Sequence, residues 1–174
     1  MAKAKGRFIP VNIAVLTVSD SRTEETDKSG RLLCDRIQSA GHTLAEKAIV
    51  PDNIYQIRAV VSRWIADEAV QAIITTGGTG VTGRDGTPEA MQPLLDKEIS
   101  GFGEIFRMIS YQDIKTSTIQ SRALAGVANG TYIFCLPGSS GACRTGWDEL
   151  IQDQLDVRHS PCNLAELMPR LRET

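Results

Sequence analysis

The segment "AVQAIITTGGTGVTGRDGTPEAM" (residues 69–91) decides the fold, because an apolar run enters a glycine-rich turn and a helix start leaves it. The run "AVQAII" predicts a buried strand. Thr87-Pro88-Glu89 predicts a helix with a threonine N-cap, proline at its first position and an acidic first turn. Glycine costs conformational entropy on folding. A turn with so few side chains therefore indicates that another group approaches its backbone closely. Its five glycines are Gly77, Gly78, Gly80, Gly83 and Gly86.

Strand and helix patterns alternate before this turn. Apolar, β-branched runs at residues 11–18 and 42–50 predict two further strands, and apolar residues at helical spacing predict helices at residues 29–41 and 54–65. This order is typical of a parallel sheet with right-handed crossovers. After the turn, two apolar runs flank Asn129-Gly130, a strong signal for an antiparallel hairpin. We therefore predict a three-layer α/β fold, with a mostly parallel sheet, helices on both faces and a small antiparallel hairpin.

The remaining segments complete one domain. Residues 101–114 predict a helix whose core-facing residues are Phe102, Ile105, Phe106 and Ile109, and residues 142–155 predict a last helix. We expect a flexible N-terminus at residues 1–10, a single domain at residues 11–157 and a loosely docked tail at residues 158–174.

Composition excludes several classes of protein. The chain has 174 residues, of which 41% are hydrophobic and 23% charged, as in ordinary globular proteins. Its net charge of −2 and the absence of a basic stripe disfavour nucleic-acid binding, and no apolar run predicts a signal peptide or a membrane span. The scattered cysteines predict buried free thiols in a reducing compartment, by default the cytoplasm, and disfavour a zinc site. They are Cys34, Cys135, Cys143 and Cys162.

Small, polar or acidic residues follow four of the predicted strands. In an open parallel sheet, ligands bind outside the carboxyl ends of the strands, so these residues predict a convergent polar rim. The candidates are Ser19, Asp20 and Arg22 after the first strand, Asp52 after the second, residues 76–80 and then Arg84 and Asp85 after the third, and Pro137, Gly138 and Ser139 after the last.

The glycine loop is a candidate anion site. Backbone N–H groups in such a turn can converge on a phosphate, and Thr76 and Thr79 would add hydroxyl donors. The alternative is a flexible connector with glycines at left-handed turn positions. Residues 78–83 also spell G-x-G-x-x-G, but they follow the third strand and the helix starts late, which disfavours a nicotinamide site; the lysine of a P-loop is absent.

Carboxylates supply the second half of a phosphate site. Asp52 and Asp85 are predicted on two loops of the same rim, with Asp20 on a third. Phosphate chemistry commonly uses Mg²⁺ held by one or two carboxylates and substrate oxygens. The alternative for each is a turn aspartate that bonds its own backbone. That alternative stays open for Asp52, whereas Arg84 and the adjacent glycine loop favour a functional Asp85.

Several phrases together resemble one known family. "TTGGTGVTGRDGTPEA", "SDSR", "VPDN", "GFGEIFRMIS" and "LPGSSGACRTGW" are similar to the molybdenum cofactor biosynthesis proteins of the MoaB/MogA type, which include the G domains of gephyrin and its plant counterpart. The resemblance covers residues 8–163, and "ACRTGW" and "SPCN" are similar to the MoaB branch in particular.

The resemblance implies a molybdopterin-binding fold, assembled as a trimer or a dimer of trimers. It implies that ATP and molybdopterin give adenylyl-molybdopterin and pyrophosphate with Mg²⁺, and that other cofactor biosynthesis proteins are further partners. The family's two essential aspartates correspond to Asp52 and Asp85, which would hold Mg²⁺. Arg22 or Arg84 would neutralise charge, with Ser19 and Asp20 on the same rim. The phosphate-binding positions correspond to Thr76, Gly77, Gly78, Thr79, Gly80, Pro137, Gly138 and Ser139.

Two departures from the family pattern are visible. Gly83 and Gly86 stand where many relatives have proline and a β-branched residue, which we expect to loosen the loop that carries Asp85. After Pro137-Gly138, the segment "SSGACRTGW" (residues 139–147) stands where the clearly catalytic branch of the family has a shorter segment of the form x-P-x-A. The alternative function is therefore a non-catalytic molybdopterin-binding or scaffold protein that supports a catalytic paralogue. A nicotinamide or flavin oxidoreductase is a more distant alternative.

Overall fold

The computed structural model describes residues 6–173, which contain one six-stranded sheet in the order β2-β1-β3-β6-β5-β4. Residues 1–5 of the predicted flexible N-terminus and residue 174 of the predicted tail lie outside the described residues. The strands are Asn12–Val18 (β1), Thr43–Val50 (β2), Ala72–Thr76 (β3), Lys97–Glu98 (β4), Leu124–Ala128 (β5) and Thr131–Leu136 (β6). The α-helices are Lys28–Ser39 (α1), Ile54–Ala66 (α2), Thr87–Met91 (α3), Ser100–Ile114 (α4), Ser140–Gly146 (α5) and Gln152–Leu155 (α6).

The sheet is mixed, as predicted. Strands β1, β2, β3 and β6 are parallel, and β5 pairs antiparallel with both β6 and β4. Between β5 and β6, Asn129 and Gly130 have positive φ angles of 47° and 79°, which a two-residue type I′ hairpin turn requires. The predicted parallel sheet with a small antiparallel hairpin is thereby confirmed.

Helices cover both faces of the sheet because its strands are apolar on both sides. In β1, Ile13 and Val15 face one layer, whereas Ala14 and Leu16 face the other. The first layer contains α1, α4 and the helical segment of residues 140–155, and the second contains α2 and α3. These two buried clusters confirm the predicted three-layer architecture. No helix among residues 6–173 is long and apolar enough to cross a membrane.

Helix α4 is rotated relative to the sequence prediction. Phe102 and Phe106 are buried, but Ile105, also predicted to face the core, is 42% exposed. The buried stripe instead includes Gly103 and Ser110. A Cβ on Gly103 would stand 2.5 Å from the carbonyl oxygen of Ala123, so this glycine lets the helix approach β5 closely. The close approach at Gly103, together with the buried Phe102 and Phe106, therefore sets the orientation of α4.

The C-terminal region continues the first layer. A π-helical turn at Trp147–Ile151 joins α5 to α6, so residues 140–155 form the continuous helix that was predicted from residue 142. Beyond it, the hydroxyl of Tyr132 donates to the carbonyl of Leu164, and Leu164, Met168 and Leu171 pack on the buried cluster. The domain limits and the loose docking of the tail stay predictions. Cysteines 34, 135 and 143 are buried free thiols as predicted, whereas Cys162 is exposed, so the prediction was wrong there.

The parallel register brings the carboxyl ends of four strands to one edge. Thr76 lies opposite both Thr17 and Leu136, and Val18 lies opposite Val50. Just after β3, the N–H of Gly77 donates to the carbonyl of Leu136 at 3.0 Å. Gly77 has a φ of 105°, and a Cβ there would stand 2.1 Å from the carbonyl oxygen of Val18. This glycine therefore lets the loop turn away directly above β1.

Replacing Gly77 by alanine should destabilise the protein by about 3 kcal/mol, because the new methyl group meets fixed backbone and the φ angle is unsuited to an L-residue. Urea unfolding would measure the change. Gly83→Ala is the matched control, since a Cβ at Gly83 meets nothing within 4 Å. We expect the control to change stability by no more than about 0.5 kcal/mol. Equal losses in the two variants would contradict this account of Gly77.

A buried histidine lies beside the amino-terminal end of β1, away from the glycine loop. Nδ1 of His42 accepts the N–H of Val11 at 3.1 Å, and the ring packs against Phe8 and Trp147. An accepting Nδ1 requires the neutral imidazole. Burial lowers the pKa of His42 below its ordinary value, and the nearby carboxylate of Asp156 opposes that shift only in part. The folded state therefore favours the neutral ring.

Because unfolded His42 gains a proton near pH 6.5 and the folded form only at lower pH, stability should fall as the pH falls below about 6.5. We expect a loss of about 1 kcal/mol between pH 7 and pH 5.5. His42→Gln should remove that slope in urea unfolding at both pH values, even if it lowers stability overall. His159→Gln, which removes the second of the two histidines, should retain it. The same slope in wild type and His42→Gln would refute the assignment.

Candidate functional site

Two aspartates join the loops that follow β1, β2 and β3. Oδ1 of Asp20 accepts the N–H of Asp52 at 3.0 Å, and the same carboxylate binds the guanidinium of Arg84 at 2.6 and 3.0 Å. Oδ1 of Asp52 in turn accepts the N–H of Gly86 at 3.0 Å. These bonds join three of the four strand ends that were predicted to form a polar rim.

The glycine loop packs against side chains of its own chain. A Cβ on Gly78 would stand 2.3 Å from Oγ1 of Thr87 and 2.7 Å from Oδ2 of Asp52. A Cβ on Gly80 would stand 2.7 Å from Oδ2 of Asp85. The groups that approach the bare backbone most closely therefore include the two candidate carboxylates. Phosphate binding by this loop stays a prediction, and the Gly77 N–H is already bound to Leu136.

The start of α3 differs from the prediction. The helix begins at Thr87 with Gly86 before it, and no side chain caps it. The hydroxyl of Thr87 instead donates to the carbonyl of Gly77 at 2.8 Å, while its N–H donates to the carbonyl of Gly78. The predicted threonine N-cap was wrong, because this residue closes the glycine loop rather than the helix end.

The environments of the two candidate aspartates have opposite effects on their pKa values. Oδ2 of Asp85 accepts the N–H and the hydroxyl of Thr82 at 2.8 and 2.6 Å, and these bonds, chiefly the hydroxyl, lower the pKa of Asp85. Asp52 is half-buried, and burial, followed by the charges of Asp85 and Asp20, raises its pKa. Asp85 bonds within its own turn, which is the alternative stated above for each aspartate, whereas Asp52 bonds a different loop. Two nearby carboxylates with divergent pKa values are characteristic of functional sites.

A cavity of about 430 Å³ opens between the glycine loop, the C-terminal half of α4 and the start of α5. Its volume lies in the range of small-molecule sites. Three of the predicted binding residues line it: Thr79, Pro137 and Ser139. Further lining residues are Ser110, Asp113, Ile114, Thr118, Gln120 and Arg144. The cavity therefore offers both apolar and polar contacts beside the rim.

Other predicted residues point elsewhere. The hydroxyl of Thr76 is buried and donates to the carbonyl of Pro137, and Gly138 packs on the backbone of Gly77. Ser19 accepts the N–H of Arg22, whose guanidinium donates to the carbonyl of Thr26. These contacts give Thr76, Gly138, Ser19 and Arg22 structural partners, and their predicted binding roles stay predictions.

Sequence reasoning missed two residues of the site. Thr82 orients Asp85 through its N–H and its hydroxyl, and its place in the same short loop as Asp85 is the signal that could have indicated it. Arg122 binds the carbonyls of Gly80 and Asp85 with its guanidinium. No local pattern indicated Arg122, because it is 42 residues from Gly80 in the chain.

The carboxylates suit a Mg²⁺ that shares its ligands with a bound phosphate. Within residues 6–173, no group of three or more His, Cys, Asp or Glu residues could hold a metal. Mg²⁺ commonly takes one or two carboxylates and completes its shell with phosphate oxygens and water. Asp52 and Asp85 supply oxygens of that kind, and their mutual repulsion would be relieved by a cation. The oxygen donors of Asp52 and Asp85 are of the type that Mg²⁺ takes, and the binding of Mg²⁺ or a nucleotide here stays a prediction.

Comparison with known proteins places this chain in a family. A model of the "probable molybdopterin binding domain" matches residues 14–157. Molybdenum cofactor biosynthesis protein B of Escherichia coli strain K12 is 56% identical over 163 residues, which are 94% of this chain and 96% of that protein.

Solved structures agree with the sequence relatives. A crystal structure of a molybdenum cofactor biosynthesis protein B superposes with a TM-score of 0.85 at 41% identity, covering 99% of this chain and 100% of that one. The tungsten cofactor synthesizing protein MoaB from Pyrococcus furiosus superposes with a TM-score of 0.77 at 33% identity, covering 94% and 98%. The chain belongs to the MoaB/MogA family of molybdenum cofactor biosynthesis proteins, with its probable molybdopterin-binding domain.

Proposed function

We propose that this chain adenylylates molybdopterin, with an oxygen of molybdopterin replacing pyrophosphate at the α-phosphorus of ATP. The observation that carries the proposal is the pair Asp52 and Asp85, which lie beside the glycine loop on two loops joined by the Asp52–Gly86 hydrogen bond. Adenylyl transfer is catalysed mainly by positioning and by stabilisation of negative charge. A rim of carboxylates and backbone donors next to a small-molecule cavity suits that chemistry.

In this proposal, one substrate binds in the cavity and the other at the rim. The cavity is large enough for the pterin, and Ser110, Thr118 and Gln120 supply polar groups for its ring. Thr79 lines the cavity and belongs to the glycine loop, so it lies where the two substrates would meet. We assign the nucleotide phosphates to the side of the loop that faces Asp52 and Asp85.

The chain's own residues would orient the reacting groups. Thr82 fixes the Asp85 carboxylate through two hydrogen bonds and keeps it ionised. The N–H of Gly86 fixes one oxygen of Asp52 by a hydrogen bond, while Oδ2 of Asp52 faces the loop at Gly78. Asp52 and Asp85 would hold Mg²⁺, which neutralises phosphate oxygens when bound. Arg84, already paired with Asp20, would orient Asp20 rather than act as a free cation.

Asp85→Asn should lower the rate of pyrophosphate release from Mg-ATP and molybdopterin by roughly 100-fold or more, because the amide cannot replace an anionic oxygen. Asp52→Asn should have a comparable effect. Both amides retain an oxygen that accepts the observed N–H bonds, so the fold should persist. Asp35→Asn, on the exposed side of α1, is the matched control and should leave the rate unchanged.

Molybdopterin binding, followed by fluorescence titration, separates the two candidate functions. The transferase requires pyrophosphate release by the wild type and its loss in Asp85→Asn. Binding of molybdopterin without any release would favour the non-catalytic binding protein. Full activity in both aspartate variants would refute the roles given to these carboxylates.

We further propose that the chain self-associates as a trimer or a dimer of trimers. Apolar side chains lie along the outer face of α4: Ile105, Met108, Tyr111 and Ile114 are 42%, 58%, 48% and 52% exposed. An apolar stripe of this kind is typical of an interaction surface. A second copy of the chain is the occupant that the family resemblance favours, because that resemblance implies a trimer.

Met108→Glu should reduce the mass measured by size-exclusion chromatography with light scattering toward the 18.9 kDa of one chain. The buried charge would oppose association at the centre of the stripe. Glu104→Gln, a neighbouring exposed residue on α4, should leave the assembly unchanged. A wild type that is already monomeric, or a Met108→Glu variant with wild-type mass, would contradict an α4 interface.

A further inference from the structure

Arg122 connects the cavity wall to the loop that carries Asp85. It follows Gln120 and Ser121, which line the cavity, and its own N–H donates to the carbonyl of Thr79 at 3.1 Å. Nε of its guanidinium donates to the carbonyl of Gly80 at 2.7 Å, and Nη2 donates to the carbonyl of Asp85 at 2.9 Å. Its remaining nitrogen, Nη1, forms an ion pair with Glu89 on α3.

These bonds hold both ends of the most exposed part of the loop. Between Gly80 and Asp85, the side chain of Val81 is 67% exposed, and Thr82 bonds within the loop. The ion pair from Arg84 to Asp20 also anchors this stretch, but its side chains are 66% and 45% exposed, and exposed pairs contribute little. The side chain of Arg122 is only 31% exposed. Charge-assisted bonds from such a group are the stronger constraint.

The shape of the guanidinium matters as much as its charge. Three nitrogens of one planar group contact two carbonyls and one carboxylate. A lysine ammonium is a compact point charge on a flexible stem, so it could not span the same three acceptors. The site therefore requires arginine at this position for geometric reasons.

We propose that Arg122 is a positioning residue that fixes the Asp85 loop against the wall of the substrate cavity. This inference rests on the proposed adenylyl transfer. Arg122 touches neither carboxylate of the candidate pair; it acts through the backbone of Gly80 and Asp85. Its loss should displace Asp85 while the cavity, lined by other residues, continues to bind the pterin.

Steady-state kinetics of Arg122→Gln and Arg122→Lys test this role. We expect kcat to fall roughly 10- to 100-fold, since small displacements of a catalytic group have effects of that size. The Mg²⁺ concentration for half-maximal rate should rise several-fold, whereas KM for molybdopterin should stay within about twofold of wild type. The Arg122→Lys variant should behave like Arg122→Gln, because lysine keeps the positive charge but lacks the planar guanidinium with its several donor nitrogens.

Arg107→Gln is the matched control. Nη1 of Arg107 also donates to a backbone carbonyl next to this segment, that of Ala123, but it does not contact the glycine loop. It should leave both kcat and the Mg²⁺ requirement unchanged. Wild-type kinetics in Arg122→Lys, or equal effects of the Arg107 and Arg122 variants, would overturn the proposal.

Amide hydrogen exchange gives a readout that does not depend on turnover. In Arg122→Gln, residues 80–86 should exchange roughly tenfold faster, while β1 and β3 stay protected. Arg107→Gln should leave exchange in that loop unchanged. If the wild type releases no pyrophosphate, the proposed function is refuted. If amide exchange in residues 80–86 is unchanged in Arg122→Gln, the positioning role of Arg122 is refuted. The two failures are thus distinguishable.

Discussion

The carboxylates of Asp20 and Asp52 hold together a part of the molecule where the sheet can no longer do so. The parallel ladders end near Val18, Val50 and Thr76, and each loop beyond them carries backbone N–H groups that need partners. Asp20 accepts the N–H of Asp52, and Asp52 accepts the N–H of Gly86. The position of Asp85, one residue before Gly86, therefore depends on this chain of carboxylate-to-amide bonds.

The same bonds create an electrostatic imbalance at the rim. Asp20, Asp52 and Asp85 are close enough that the first and last raise the pKa of Asp52. Arg84 offsets mainly Asp20, and Arg122 lowers the pKa of Asp85 by its charge. The half-buried Asp52 thus has the least complete compensation of the three. Under the proposed adenylyl transfer, a Mg²⁺ ion bound to the nucleotide phosphates would supply the missing positive charge, so substrate binding and relief of repulsion would coincide.

Short-range patterns predicted the sheet, but contacts between distant residues were beyond them. Strand and helix periodicity, and the Asn129-Gly130 turn, were sufficient for the layers and the hairpin. The strand ends indicated Asp20, Asp52 and Asp85 as rim residues because parallel register alone brings those ends together. Arg122 and Gly103 act across chain distances that no local pattern encodes. Thr87 carried the signature of an N-cap, whose side chain accepts a backbone N–H, yet in the structure its hydroxyl donates to the carbonyl of Gly77.

The bare turn can now be explained without assuming that its glycines serve only a ligand. Val18 fills the space beside Gly77, Asp52 and Thr87 fill that beside Gly78, and Asp85 fills that beside Gly80. The absent side chains are what allow two carboxylates to lie against the loop backbone. If phosphates bind there, they meet a surface on which the glycines have already placed the acidic groups. Gly86 is also surrounded by its own chain. A Cβ there would stand 2.9 Å from Ile54, and its N–H donates to Asp52. This position is therefore fixed rather than loosened. Gly83 alone among these five glycines has open space around it, and there the expected loosening of the loop has no opposing contact.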